Sequence, residues 1–138
     1  MIEHHQLGTV QQAYSHFKHG NIPGLLSLCS EDIEWELPEI ENVAFSGARK
    51  GKAAVQEFFN TLTADQEEVQ FIPMEFITQG DKVVVLGHEE WKTRQGGHQF
   101  KTDWVHVFTV RNGKITAFRE FMDTAVVAAA HKKRTMAA

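Results

Sequence analysis

Cysteine and tyrosine each occur once in this sequence, positive charge is in the minority, and no apolar run is long enough to cross a bilayer. The lone Cys29 excludes an intrachain disulfide framework and suits a reducing compartment. With 14 Lys and Arg against 18 Asp and Glu, the net charge is −4, so no basic field draws the chain to nucleic acid or to an anionic membrane. A glycine-rich phosphate loop and a dinucleotide fingerprint are missing, and no cofactor is expected. His16 and His19 stand three apart, but no carboxylate or third histidine joins them at ligand spacing, and no metal is expected. The stretch Met1–His5 lacks the features of a secretory signal. Together these absences predict a cytoplasmic protein with no nucleic-acid or membrane partner.

Aromatic side chains are plentiful: ten Phe and three Trp give a large apolar payload that can fill a core, a cavity or a subunit interface. The 138 residues match a single domain, 1–138, able to bury roughly two-thirds of its unfolded surface. Leu7, Val10, Tyr14 and Phe17 recur at helical spacing up to Gly20. Asn21 and Pro23 then open a short second helix carrying Leu25 to Cys29. The run Ile33 to Leu37 alternates apolar and acidic residues and stops at Pro38, as a short strand does. Residues 39–49 read as loop, and Val55, Phe58, Phe59 and Leu62 mark a third helix.

From Val69 the period becomes strand-like. Turns at Gln79–Asp81, Gln95–Gly97 and Arg111–Gly113 divide four strands, with Pro73 implying a bulge or an edge. Asp123 can cap a final helix over Thr124 to Ala130, and 131–138, with its basic His131–Arg134 run, reads as a solvated tail. Helices first and a strand meander after them argue for α+β, with one curled sheet wrapped on the helices.

This order of elements, with the Trp-bearing short strand and the closing Phe118-Arg119-Glu120-Phe121-Met122-Asp123, resembles the SnoaL-like group of the nuclear transport factor 2-like superfamily. The resemblance implies a cone of curved, mixed but mainly antiparallel sheet with an internal pocket. The superfamily includes ketosteroid isomerases, limonene epoxide hydrolase and polyketide cyclases, so it speaks for fold more than for function. Tyr14 falls where ketosteroid isomerases place an oxyanion-hole tyrosine, their second donor falls near His106, and their catalytic carboxylate is replaced by Leu37. Of the Asp-Arg-Asp set of limonene epoxide hydrolase, the last carboxylate aligns with Glu120, the first falls near Glu89, and the arginine is replaced by Gly87. Trp35 and Leu37 replace its tyrosine and asparagine.

Geometry gives an independent route to the same residues. If Arg111–Gly113 is a three-residue loop, Trp104 pairs with Glu120 and His106 with Phe118. Trp104, His106 and Phe108 then share a face with Phe118, Glu120 and Met122. A two-residue turn would slip the register by one and put Asp103, Val105 and Val107 there instead. The first register is preferred because its face has the composition of a lined pocket. A carboxylate in that setting is desolvated, and Glu120, His106 and Glu89 could orient a water or shuttle a proton beside a carbonyl. Glu120 and His106 could equally form a structural buried salt bridge.

The expected ligand wall is Tyr14, Trp35, Leu37, Phe58, Trp104, Phe108, Phe118 and Met122, and the expected ligand is a small apolar molecule. Two functions fit: an isomerase-, hydrolase- or cyclase-type enzyme, or a non-catalytic hydrophobic-ligand or interaction domain. Convergence of Glu120, His106 and Glu89 on one cavity that opens to solvent favours the enzyme. Val105, Val107 and Phe121 point outward in this register, which predicts a homodimer through the outer sheet face.

Overall fold

The computed structural model describes residues 2–132. Helix α1 (Ile2–Lys18) is followed by α2 (Ile22–Ser27), whose first turn is closed by Asn21 accepting from the Gly24 N–H at 3.0 Å. Cys29 opens strand β1 (Cys29–Glu36) rather than ending the second helix, so this strand is longer than its alternating core suggests. A three-residue strand, β2 (Ala48–Lys50), emerges from the expected loop and pairs antiparallel with β1. Helix α3 (Lys52–Asp65) carries Val55, Phe58, Phe59 and Leu62 on its buried face. Strands β3 (Gln66–Gln79), β4 (Lys82–Thr93), β5 (Gln99–Arg111) and β6 (Lys114–Met122) follow, then helix α4 (Thr124–Ala130). The Asp123 carboxylate caps α4 by accepting from the Ala125 and Val126 N–H groups.

The six strands form one sheet in the order β2-β1-β6-β5-β4-β3. The contact of β1 with β6 is parallel and the others are antiparallel. This is the α+β cone: helices fill the concave side, and the aromatic cluster lies between them and the inner sheet face. β3 is one of the two edge strands, and its pairing with β4 shifts between Pro73 and Glu75, so Pro73 sits both at an edge and at a bulge.

The last hairpin corrects one expectation and keeps another. Asn112 and Gly113 have φ of 52° and 77°, and Arg111 pairs with Lys114, so the turn is the two-residue form. That turn alone would put the wrong face inside. However, Val110 pairs with Ile115 while Thr109 pairs with Ala117, so Thr116 is an extra residue that restores the alternation. Trp104, His106 and Phe108 therefore do face inward, opposite Met122, Glu120 and Phe118.

The solvated-tail expectation is also corrected at its first residue. His131 is held by two acceptors: the Val127 carbonyl lies 2.8 Å from Nδ1 and Asp65 Oδ2 lies 2.6 Å from Nε2. Phe45 and Phe100 pack against its ring. Lys133 and Arg134 lie outside the described residues.

Candidate functional site

Period-2 alternation on three adjacent strands brings the polar groups together. His106 on β5 is 4% exposed, and its ring faces Glu120 directly across the β5–β6 ladder, one position closer than the expected diagonal. His106 Nε2 lies 3.2 Å from Glu120 Oε1, and its Nδ1 lies 2.7 Å from Tyr14 Oη, which α1 delivers from the other side. The Tyr14 and His106 rings are nearly parallel, 7° apart, which aligns the phenol with the imidazole nitrogen. The three side chains make one hydrogen-bonded chain, Tyr14–His106–Glu120.

Burial decides the charge states. Buried in the protein, His106 is held well below the usual imidazole range, which favours the neutral ring. With a neutral ring, its contact with Glu120 is a hydrogen bond to the carboxyl rather than an ion pair. Burial pushes Glu120 up to about 8. Glu89, buried on β4, is raised well above the carboxylate range by burial first and by the Glu120 charge second; the Trp91 and His88 side chains offset part of the rise. Tyr14 is raised by burial and by the same charge, and keeps its proton.

A neutral imidazole carries one N–H, so the chain has a direction. When Glu120 is ionised, Tyr14 donates to Nδ1 and the Nε2–H donates to the carboxylate. When Glu120 is protonated, the carboxyl can donate to Nε2, the Nδ1–H donates to Tyr14, and the phenol O–H is released toward the cavity. The proton on Glu120 thus sets whether Tyr14 offers the cavity a donor or an acceptor.

Tyr14, His106, Glu120 and Glu89 all line one half-enclosed cavity of about 70 Å³, so the three residues named as catalytic converge. Trp35, Leu37, Phe58, Phe108, Phe118 and Met122 line it too. Trp104 does not. Its indole stacks beneath His106, ring centroids 3.8 Å apart, and lies flat on Gly87. A Cβ at Gly87 would come within 2.2 Å of the Trp104 ring. The glycine standing in the aligned arginine position is what admits the tryptophan, and Trp104 supports the histidine from behind the cavity wall.

Sequence reasoning missed Gln66, Phe71 and Trp91, which also line the cavity. Trp91 could have been found, because it lies two residues from Glu89 on the same strand face. Gln66 could not, because the α3–β3 junction has no periodicity. Cys29 is buried and its thiol is pushed up to about 11 by burial, which suits a core residue. Among the described residues no cluster of three or more His, Cys, Asp or Glu is placed to hold a metal ion, and no helix is long and apolar enough to cross a membrane.

The model of the SnoaL-like domain family matches residues 10–118. Among solved structures, a nuclear transport factor 2-like protein from Burkholderia xenovorans is 30% identical, with 94% of this chain and 98% of that one covered and a TM-score of 0.85. A nuclear transport factor 2-like protein of unknown function from Burkholderia pseudomallei is 26% identical, with 94% and 98% covered and a TM-score of 0.86. TerC, crystallised with polyporic acid, is 31% identical, with 92% and 98% covered and a TM-score of 0.81. No curated protein matches the sequence. With the family model spanning most of the chain and the cone built as that family builds it, the chain belongs to the SnoaL-like domain family.

Proposed function

We propose that this protein is an enzyme of the isomerase or cyclase kind, moving protons on a small aromatic or carbonyl-bearing molecule. The observation that carries the reading is the convergence of two buried carboxyls and a Tyr–His chain on one half-enclosed cavity. A hydrophobic-ligand carrier gains nothing from two desolvated acids at its centre, whereas proton transfer needs groups whose pKa values are moved toward neutrality. The relative crystallised with polyporic acid supports an aromatic, oxygen-bearing ligand.

The roles follow from the charge states. Glu120 ionises first, with the His106 N–H donating to its anion, and serves as base. Glu89 keeps its proton longer and serves as acid. Glu120 takes a proton from the carbon beside a carbonyl, and the C–H electron pair moves through the enolate onto the carbonyl oxygen. Glu89 donates to that oxygen; Glu120 then delivers its proton to a different carbon while Glu89 takes back the proton on oxygen as the carbonyl re-forms, which completes an isomerisation and returns both acids to their starting forms. Because the cavity is about 70 Å³ and one that admits benzene is roughly 150 Å³, ligand entry requires wall side chains to move, partly exposed Met122 among them.

The test is a screen of enolisable aromatic ketones and hydroxyquinones, followed by a pH profile on any compound turned over. The expected profile rises toward about pH 8 as Glu120 ionises and falls above it as Glu89 loses its proton. A rate independent of pH between about 6 and 9 would sink the assignment of Glu120 as base.

We also infer that the protein is a homodimer through the outer sheet face. Ile77, Val84, Leu86, Val105, Val107 and Phe121 are brought onto that face by their pairings, with Ile77 and Phe121 exposed. Sedimentation equilibrium at micromolar concentration should show twice 15.7 kDa, and Phe121→Glu should shift it toward that monomer mass. A wild type that remains at the monomer mass defeats the inference.

A further inference from the structure

Three buried polar atoms in the cavity wall complete no hydrogen bond, Gln66 Oε1, Trp91 Nε1 and Trp35 Nε1, and the first two lie on neighbouring strands. Gln66 is 3% exposed and its Oε1 has no donor; Trp91 is 4% exposed and its Nε1–H, although near enough to Glu89 to ease the rise of that carboxyl, completes no hydrogen bond. Both side chains line the cavity. Gln66 pairs with Thr93 across the β3–β4 ladder, so Trp91, two residues from Thr93, is its diagonal neighbour on the inner face. Diagonal neighbours lie roughly 7–8 Å apart at the backbone, near enough for one small group to sit between their side chains. An unpaired buried polar atom is costly, and an unpaired donor beside an unpaired acceptor specifies what is missing.

We propose that Gln66 and Trp91 form a hydroxyl-binding subsite, which orients an aromatic alcohol or enol by donating from the Trp91 indole and accepting at the Gln66 amide. This rests on the reading of the cavity as a ligand site and names the ligand's chemical class. A neutral hydroxyl is selected on three grounds. It both donates and accepts, so it satisfies the pair whichever way the amide is turned. An ammonium group would leave the Trp91 N–H unpaired. A carboxylate would set a third acidic group beside Glu89, two residues from Trp91 on the same strand face. The rest of the wall, with Phe100 paired to Trp91 and Phe59 and Phe71 also lining the cavity, suits an aromatic ring.

The probes are phenol, toluene and benzoate, measured by calorimetry and ligand-observed NMR against wild type, Gln66→Leu and Trp91→Phe. Wild type should bind phenol about tenfold tighter than toluene, and benzoate weakest of the three. Each variant should cut the phenol preference by roughly fivefold while binding toluene as well as or better than wild type. Gln66→Leu should melt at the same temperature or higher, because its amide gives up no partner within the chain. A preference for phenol that survives both variants overturns the subsite, as does a lower melting temperature for Gln66→Leu. Toluene bound as tightly as phenol by wild type means that the pair holds only water, and overturns the subsite while leaving the cavity a ligand site. Failure of all three probes to bind overturns both readings.

Discussion

Glu89 and Glu90 are adjacent in sequence and occupy different solvents. On the inner face of the sheet, Glu89, His106 and Glu120 meet, buried, in a cavity between aromatic rings. On the outer face of the same strands, His88 sits 2.9 Å from Asp103 and 3.6 Å from Glu90, and the Asp103 side chain is 91% exposed. The residue types are the same and the distances are similar. What differs is water. Outside, solvent screens the pair and hydrates each partner, so such contacts contribute little. Inside, the charged forms are penalised, the imidazole is neutral, and both acids titrate far from their ordinary range. A side chain's face, set by the period of two, turns an ordinary ion pair into groups able to exchange protons near neutrality.

The largest expected effect comes from removing one carboxylate on each face. Glu120→Gln should lower any turnover by roughly a hundredfold or more, because it keeps shape and hydrogen bonding but cannot accept a proton. Asp103→Asn, on the outer face of the neighbouring strand, should leave the same rate within about twofold. Parallel kinetics on the two variants checks this. Equal losses would mean that the two faces are not chemically distinct.

A second contrast concerns space. Gly87→Ala puts a methyl where the Trp104 ring already lies, at 2.2 Å, with backbone on one side and His106 stacked on the other. The variant should lose roughly 2–3 kcal/mol in a urea titration, the upper part of the range for overpacking. It should also disturb the Tyr14–His106 bond through the displaced indole. His88→Ala, one residue away and facing outward, should stay within about 0.5 kcal/mol of wild type. A Gly87→Ala protein of unchanged stability would show that Trp104 has room to move, and the support it gives to His106 would have to be abandoned.

These contrasts also mark what the sequence made legible. The Trp-His-Phe alternation on β5 and the Phe-Glu-Met alternation on β6 identified the inner face because burial leaves a period-2 record. The pairing within that face was not legible. Asn112–Gly113 favours a two-residue turn, and only the extra residue at Thr116, a bulge without local signature, restores the face. Trp104 carried the right face, but its depth behind the cavity wall was not legible, because it depends on Gly87 one strand away. The chain Tyr14–His106–Glu120 joins residues 92 and 14 positions apart, and no local pattern announces such contacts. His131 looked like the start of a basic tail; its partner Asp65 is 66 residues distant.

The smallest expected effect is thermodynamic, and it isolates Glu120 without needing a substrate. In the unfolded chain Glu120 loses its proton near its ordinary value of 4.5, while in the folded protein it holds that proton up to about 8. Between those values the native state binds a proton that the unfolded state has released, so this group makes stability fall as pH rises through the window. Glu89, raised by burial, pulls in the same direction. His106, lowered by burial, pulls the opposite way below its ordinary value of 6.5, since the unfolded ring then takes up a proton that the folded ring does not. Subtracting wild type from Glu120→Gln largely cancels the contribution of His106 and leaves that of Glu120, together with the part of the Glu89 shift that the Glu120 charge causes, which has the same sign. The variant should match wild type within about 0.5 kcal/mol near pH 5 and exceed it by roughly 1–2 kcal/mol near pH 9, by relief of a desolvated charge. Asp103→Asn, on the wet face, should show no such divergence. Denaturant titrations of the three proteins at the two pH values decide the matter. A Glu120→Gln variant that is less stable at pH 9 than at pH 5, relative to wild type, would mean that the carboxylate is stabilised where it sits, and the two faces of the sheet would then differ in address but not in chemistry.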